Sequence, residues 1–372
     1  MGRAAGAPAD PMAGFTLTGQ NRPGGMLGED MGAVAAFELS QALTVPGKLR
    51  RREEAVGAER LVLEAQLAAE RRSLVAEIRA AYARLFTWQH EADAVRQTGE
   101  LLDLLIAGTI SRYEAGEGDL AMPAELQLER VRLEVRLDDL AAERAEIVAE
   151  LNALLDRPAA TPVRAGASLP ASRMSLPFDQ TERDALAEGA LAHSAEIALA
   201  AAEVEAAARK VRSARLERWP DLVLGGEYGY RAELDPMVSA RIGVELPVWK
   251  GKKQDAELRA AEHSLRAAEE SSRQMRARVR AEATSILERL AVADRQVRRY
   301  EEELLPAWSL VVESRRSAYQ TGRGGARELL EAERMRLMAQ AEAARRQADR
   351  YEAEARWEAL AGVSSQAEGE RR

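Results

Sequence analysis

The longest unbroken helical signal in the chain runs from residue 48 to residue 108. It contains no proline, and glycine only at 57, 99 and 108. A continuous helix over that span is roughly 90 Å long. Its apolar residues keep a seven-residue beat in two seams, one through Leu61, Ala68, Val75 and Tyr82, the other through Leu67, Leu74, Ala81, Trp88, Val95 and Leu102. Strict heptads mean coiled-coil packing, and two seams need a neighbour on each flank. A helix held between two others points to a sheet or barrel of helices, not to a conventional globular core. Composition agrees: 46% of the chain is hydrophobic but only 4% aromatic, and 31% is charged, so the apolar content is Ala, Leu and Val.

A glycine-containing break at Tyr113–Gly118 separates this helix from a second one over about Asp119–Asp156, with Asp119 as N-cap and Pro123 in the first turn. Its seam is Leu126, Leu133, Leu140, Ile147 and Leu154, so the pair forms a long hairpin. Prolines 158, 162, 170 and 177 mark an irregular linker over 158–178. A single helix fits 181–216. The period then changes to two over 221–231 and 238–248, which predicts two strands joined by a turn at Asp235-Pro236. Heptads resume after Gly251 through Leu258, Leu265, Ser272, Val279, Ile286, Ala293 and Tyr300. A second break at Tyr319–Gly324 leads into a last helix ending near Gly362, with a disordered tail over 364–372.

Composition also removes function classes. A net charge of −8 opposes nucleic-acid binding, which needs a basic face. The chain has no cysteine, so a thiol nucleophile, a zinc–thiolate site and a disulfide framework are excluded. His90, His193 and His263 stand on separate helices without paired spacing, so no metal site is expected. Gly322-Arg-Gly-Gly325 lacks the Lys-Ser/Thr of a nucleotide loop. No acid/base dyad or cofactor motif stands out, and the chain does not read as an enzyme. The first fifteen residues lack the apolar core of a signal peptide, and no window suits a transmembrane helix.

The two halves are related. A shift of 204 residues lays Gly47-Lys48 on Gly251-Lys252, and a shift of 206 lays Tyr113-x-x-Gly116-x-Gly118 on Tyr319-x-x-Gly322-x-Gly324. A two-residue insertion in the long helix reconciles the two shifts. The first half has matching strands at 14–20 and 33–45. The expected organisation is a first repeat over 14–157, the linker 158–178, and a second repeat over 179–363. The helix that opens the second repeat has no counterpart in the first, so a start further upstream, carrying that helix and a signal sequence, is expected.

The phrases AFELSQALTVPGKLRRREEA (36–55), PDLVLGGEYGY (220–230), VSARIGVELPVWKGKKQDAEL (238–258), SAYQTGRGGARELLEAER (317–334) and ALAGV (359–363) resemble the TolC-type outer-membrane efflux channel family over about residues 14–363. The phrase around Pro46-Gly47-Lys48 is most similar to its heavy-metal and cation branch. The resemblance implies a mainly α fold with a small β part. Three protomers would each give four strands to one twelve-stranded barrel continued by a periplasmic helical barrel. It also implies an outer-membrane location with a periplasmic extension, and work with a membrane-fusion adaptor and an inner-membrane transporter.

Pattern and resemblance agree on faces. Phe37, Leu39, Leu224, Ile242, Val244 and Leu246 would meet outer-membrane lipid, while Glu38, Ser40, Glu227, Arg241 and Glu245 would line the lumen. Tyr228, Tyr230 and Trp249 suit an aromatic girdle. Four strands per chain cannot close a barrel, which is why a trimer is expected. By resemblance, the breaks at Tyr113, Gly116, Glu117, Gly118 and at Tyr319, Gly322, Arg323, Gly324 would form the periplasmic entrance. The same glycines also serve simply as turn residues. A Glu117–Arg323 contact across the two tips would help to hold a closed entrance, against two solvated charges worth little. The other readings of this pattern are a soluble coiled-coil scaffold and the periplasmic adaptor itself. The paired strands disfavour the first, and the absence of a lipoyl-like β domain disfavours the second.

Overall fold

The computed structural model describes residues 6–18, 34–116, 120–171, 174, 179–231, 234–246 and 248–362. In chain order these form β1 (Met12–Thr18), β2 (Val34–Leu43), α1 (Lys48–Glu114), α2 (Ala121–Leu154), α3 (Gln180–His193), α4 (Ala195–Leu216), β3 (Asp221–Arg231), β4 (Leu234–Glu245), α5 (Gln254–Arg299), α6 (Leu305–Gln320) and α7 (Ala326–Ala361). A π-helical turn, Tyr300–Leu304, joins α5 to α6. The chain packs as two compact units, residues 1–67 with 196–276 and residues 68–195 with 277–372. No described helix is long and apolar enough to cross a membrane.

The first unit holds a four-stranded antiparallel sheet in the order β1-β2-β3-β4. Alternation fixes its register, because a one-residue slip would put every charge among the apolar side chains. One row across the sheet reads Phe15, Phe37, Tyr228, Val238, and another reads Gln41, Leu224, Ile242. Val238 and Ile242 are 79% and 78% exposed, so this apolar face has no cover within the chain. β1 begins at Met12 and β2 ends at Leu43, each two residues before the expected limit, and both limits of β4 differ as well. β4 begins at Leu234, so Asp235 and Pro236 lie inside the strand, not in the turn. A register shift between Gly229 and Arg231 sets them opposite the β3 strand end on an edge, where a proline costs no ladder bond. β4 also stops at Glu245, opposite Asp221, because β3 offers no partner beyond it. Leu246, Val248 and Trp249 therefore fall outside the strand, all well exposed.

Where β2 ends and α1 begins, a buried charge cluster ties four segments together. Gly47 takes φ +90°, and Lys48 turns inward to 3% exposure. The Lys48 ammonium donates to Asp221 Oδ2 at 2.8 Å and to the Trp219 carbonyl at 3.2 Å, and lies 3.4 Å from Glu217. Asp221 Oδ1 accepts from the Val45 N–H, and Arg52 grips Glu217 through two bonds of 2.6 and 2.8 Å. Burial works to raise the Glu217 pKa, but the Arg52 hydrogen bond and charge, with Lys48, outweigh it and hold it below the usual carboxylate range. A carboxylate depressed in the folded state stabilises the fold above its unfolded pKa of about 4.3. That contribution fades as pH falls through the lower, folded value. Glu217→Gln is therefore expected to lower the urea midpoint at pH 7, with the gap to the wild type closing as pH drops below about 4.

In the second unit α1 is flanked on two sides, as its length of regular heptads requires. Ala81 and Leu85, with Trp88, pack on Val148 and Leu151 of α2, while Ala83 and Phe86 pack on Ala344 and Ala348 of α7. The Trp88 indole N–H donates to the Leu140 carbonyl at 2.6 Å. The second flank differs from the one expected: it uses Ala83 and Phe86, whereas Leu61, Ala68 and Val75 of the other seam stay exposed. The proline-marked linker is irregular but fastened. Buried Asn152 donates to the Ala159 and Thr161 carbonyls, and the Tyr82 hydroxyl accepts from the Gly166 N–H. Pro177 and the expected tail at 364–372 lie outside the described residues.

Two helices expected to be continuous are interrupted. The span 181–216 breaks at Ser194, whose backbone is extended (φ −64°, ψ 127°). The freed His193 carbonyl accepts from Arg72 Nη1 at 3.0 Å. Gly362, at φ +70°, closes α7 against the same carbonyl, and a Cβ there would stand 2.5 Å from it. Gly362→Ala combines left-handed strain with that clash, so it is expected to cost about 1–3 kcal/mol. Gly189→Ala, in helix α3 with open space around it, should be neutral or stabilising by the same urea titration. The second interruption is the π turn at Tyr300–Leu304, where the Leu305 N–H reaches back five residues to the Tyr300 carbonyl. Pro306 follows at once, has no N–H to continue the α ladder, and makes a wider turn the cheapest accommodation.

Candidate functional site

Two surfaces carry the predicted functional residues. The first is the pair of tyrosine–glycine turns in the second unit. Gly116 and Gly322 adopt the same left-handed conformation, φ +78° and +69°, and each N–H returns to the tyrosine three residues earlier, at 3.0 Å to Tyr113 and 3.1 Å to Tyr319. Glycine suits these positions because a side chain is strained at positive φ. Gly324 is needed for a different reason: a Cβ there would lie 3.1 Å from that of Ala318. The two turns are brought together by one core cluster. Leu102 and Leu105 from α1, Leu126 from α2, and Ala326 and Leu330 from α7 are buried around the half-buried Tyr319. A Cβ on Gly108 would meet the Tyr319 hydroxyl at 3.5 Å.

Arg323 is exposed. Its N–H donates to the Ala318 carbonyl at 2.9 Å and its Nε to the Thr321 hydroxyl at 3.2 Å. Glu117 and Gly118, and the expected N-cap Asp119, lie outside the described residues. Leu120 holds the N-cap position of α2, with no side-chain bond to the helix. Sequence reasoning missed the charges one turn behind the tips. Arg327 of α7 pairs with Glu125 of α2, and Arg334 pairs with Glu129 at 2.8 Å, so ion pairs run directly between the two hairpins. The signal was the register of these residues just inside each break, a turn further along than the glycines themselves.

The second surface is the polar face of the sheet, where Glu38, Ser40, Glu227, Arg241 and Glu245 all project. Glu38 and Glu227 stand directly opposite each other on β2 and β3, an unfavourable pairing of like charges. Arg241 resolves it, reaching Glu38 at 3.0 Å and Glu227 at 3.9 Å. It can do so because its neighbour in the row is Gly225, which leaves β3 bare between Arg241 and Ser40. Three charges thus collapse to a net negative one, and Glu245 adds another. Among the described residues no group of three or more His, Asp or Glu is arranged to hold a metal ion. An open groove of about 900 Å³ between α1, α2 and α7 is lined by charges that include paired ones, Arg84 with Glu150 and Arg136 with Glu91 and Glu143.

The family model described as outer membrane efflux protein matches residues 186–363. The solved structure of VceC, an outer-membrane protein of Vibrio cholerae, aligns over 97% of this chain and 89% of its own, with a TM-score of 0.76 at 19% identity. The CmeC outer-membrane channel of Campylobacter jejuni aligns over 99% and 80%, with a TM-score of 0.79 at 14% identity. The open state of the Neisseria gonorrhoeae MtrE outer-membrane channel aligns over 97% and 82%, with a TM-score of 0.72 at 19% identity.

The fold is that of an outer-membrane efflux channel.

No curated protein matches the chain in sequence. Likeness over nearly the whole chain at such low identity is a likeness of fold.

Proposed function

We propose that this chain is the outer-membrane channel of a tripartite export system. It would act as a passive trimeric duct from periplasm to exterior, joined to a periplasmic membrane-fusion adaptor and an inner-membrane transporter. The observation that carries this reading is the sheet: four strands, an uncovered apolar face, a charged opposite face, and free edges at β1 and β4. Three such sheets closed edge to edge satisfy every backbone group, which a bilayer demands of a β structure. Phe37, Leu39, Leu224, Ile242 and Val244 then meet lipid, with Tyr228, Tyr230 and Trp249 near the interface. Glu38, Ser40, Glu227, Arg241 and Glu245 meet water in the lumen. The exposed Leu61, Leu67 and Val75 of α1 await neighbouring helices. The channel comprises two repeats, 14–157 and 179–363, and the phrase at Pro46–Lys48 favours the heavy-metal and cation branch.

The tips form the periplasmic entrance in this reading, around Tyr113, Gly116, Glu117, Gly118, Tyr319, Gly322, Arg323 and Gly324. Reversing Arg323 to Glu adds like charge at the tips, worth about 1 kcal/mol or less per pair but repeated around a threefold ring. In planar bilayers the wild-type protein should form ion-conducting pores, and Arg323→Glu should raise single-channel conductance. The same reversal at exposed Arg276, within α5, should leave it nearly unchanged. Equal effects at both positions would reduce the glycine breaks to plain turns. No pore formation by the wild type would remove the channel reading itself.

A further inference from the structure

The joint between β2 and β3 is built around Lys48 and Asp221, and the sheet carries the parts of a second such joint with no partner in the chain. A shift of 203 residues lays β2 on β4, with Glu38 on Arg241 and Leu43 on Leu246. A shift of 211 lays β1 on β3, with Asp10 on Asp221. The two shifts are consistent with the observed pairing: Phe15↔Phe37 is carried onto Gly226↔Ala240, and Met12↔Ser40 onto Val223↔Gly243. They also preserve the faces, apolar on apolar. Past the strand, Lys250 is the one extra residue that brings Lys48 onto Lys252.

Lys48 is buried and held by Asp221, 2.8 Å away. Its counterpart Lys252 is exposed, as is Asp10, and neither makes an ion pair among the described residues. Both stand at the free edges of the sheet, Asp10 just before β1 and Lys252 after β4. Free edges offer unpaired backbone to another strand. The internal β2–β3 joint is the template for how such an edge is filled.

We propose that β4 of one copy of this chain receives β1 of the next, and that Lys252 pairs there with Asp10 of the neighbouring copy. This rests on the trimeric reading above and adds to it a specific contact and register. In that register Arg241 stands opposite Thr16 of the next copy, keeping the charged face continuous around the ring. The new joint is weaker than its template. Glu217, the second carboxylate beside Lys48, corresponds under the same shift to Gly6, so Lys252 has one acidic partner where Lys48 has two.

The natural chain has no cysteine, so a pair can be introduced without background. Asp10→Cys with Lys252→Cys, expressed in outer membranes and oxidised, should give disulfide-linked dimers and trimers on non-reducing gels. Their yield should be at least tenfold above that of Asp10→Cys with Arg276→Cys. As a second measurement, Asp10→Lys should lower the temperature at which the cross-linkable trimer dissociates, and adding Lys252→Asp should restore it. Trimers trapped by glutaraldehyde with no disulfide at 10/252 and no charge-swap rescue would overturn the joint and leave the channel standing. Monomers by every method would overturn both.

Discussion

Replacing Lys48 with methionine is expected to lower stability by about 3 kcal/mol, among the largest effects of any single change in the sheet-bearing unit. Removing one partner from a buried charge cluster leaves the other charges desolvated and uncompensated, a cost of roughly 3–5 kcal/mol in measured cases. Asp221 loses its ammonium partner, and Glu217 keeps Arg52. That retained pair places the expected cost at the lower end. Urea unfolding of the purified protein, followed by circular dichroism, reads it directly. Lys252→Met serves as the comparison in isolated protomers, where that lysine is exposed and should cost close to nothing. If the two variants unfold at the same urea concentration, the cluster around Lys48 does not hold the strand-to-helix joint.

The second large effect is expected at Leu102, fully buried where α1, α2 and α7 meet beside the tips. Leu102→Ala should lower stability by about 2–5 kcal/mol through lost transfer energy and the cavity left behind. Leu128→Ala, 65% exposed on α2, should change it by less than about 0.5 kcal/mol. Because Leu102 joins both turns in one cluster, its loss should also loosen the tips relative to the rest of the unit. Faster amide exchange at Tyr319–Gly322 and Ser111–Gly116 than in α2 would report this. Uniform exchange across the unit would show that the cluster supports stability without tying the turns together.

Much of this architecture was legible from pattern. Strand alternation identified which of Phe37 and Glu38 shares a face with Tyr228 and Ile242, because a period of two leaves no freedom once one residue is placed. The tyrosine–glycine turns were legible because positive φ at Gly116 and Gly322 restricts the residue type. The break at Ser194 was not, since neither glycine nor proline marks it. It depends on Arg72 and Gly362, which are distant in sequence, meeting the freed carbonyl of His193. The wide turn at Tyr300 was within reach: Pro306 sits inside a helical pattern, where a missing N–H must have a consequence. The Lys48 cluster was hidden because a lysine after a glycine at a helix start reads as solvated charge, and its partners lie more than 160 residues away. The ion pairs of Arg327 and Arg334 were hidden for the same reason, in a chain where charge is everywhere.

The π turn at Tyr300–Leu304 sets the phase of everything that follows it. Before it, Val279, Ile286 and Ala293 are buried at intervals of seven; after it, the buried residue is Val312, nineteen positions beyond Ala293. At about 100° per residue, nineteen steps of regular helix would leave Val312 about 100° away from the face of Ala293. A π turn spends one extra residue on a single revolution and removes about that angle, so Val312 returns to the same side. The turn works as a rotational vernier between two straight rods. Removing one residue from it would leave a regular helix with Val312 in phase with Ala293, so Tyr319 would keep its place. Regularising the turn without a deletion would instead swing Tyr319 about a quarter-turn away from the cluster it now completes.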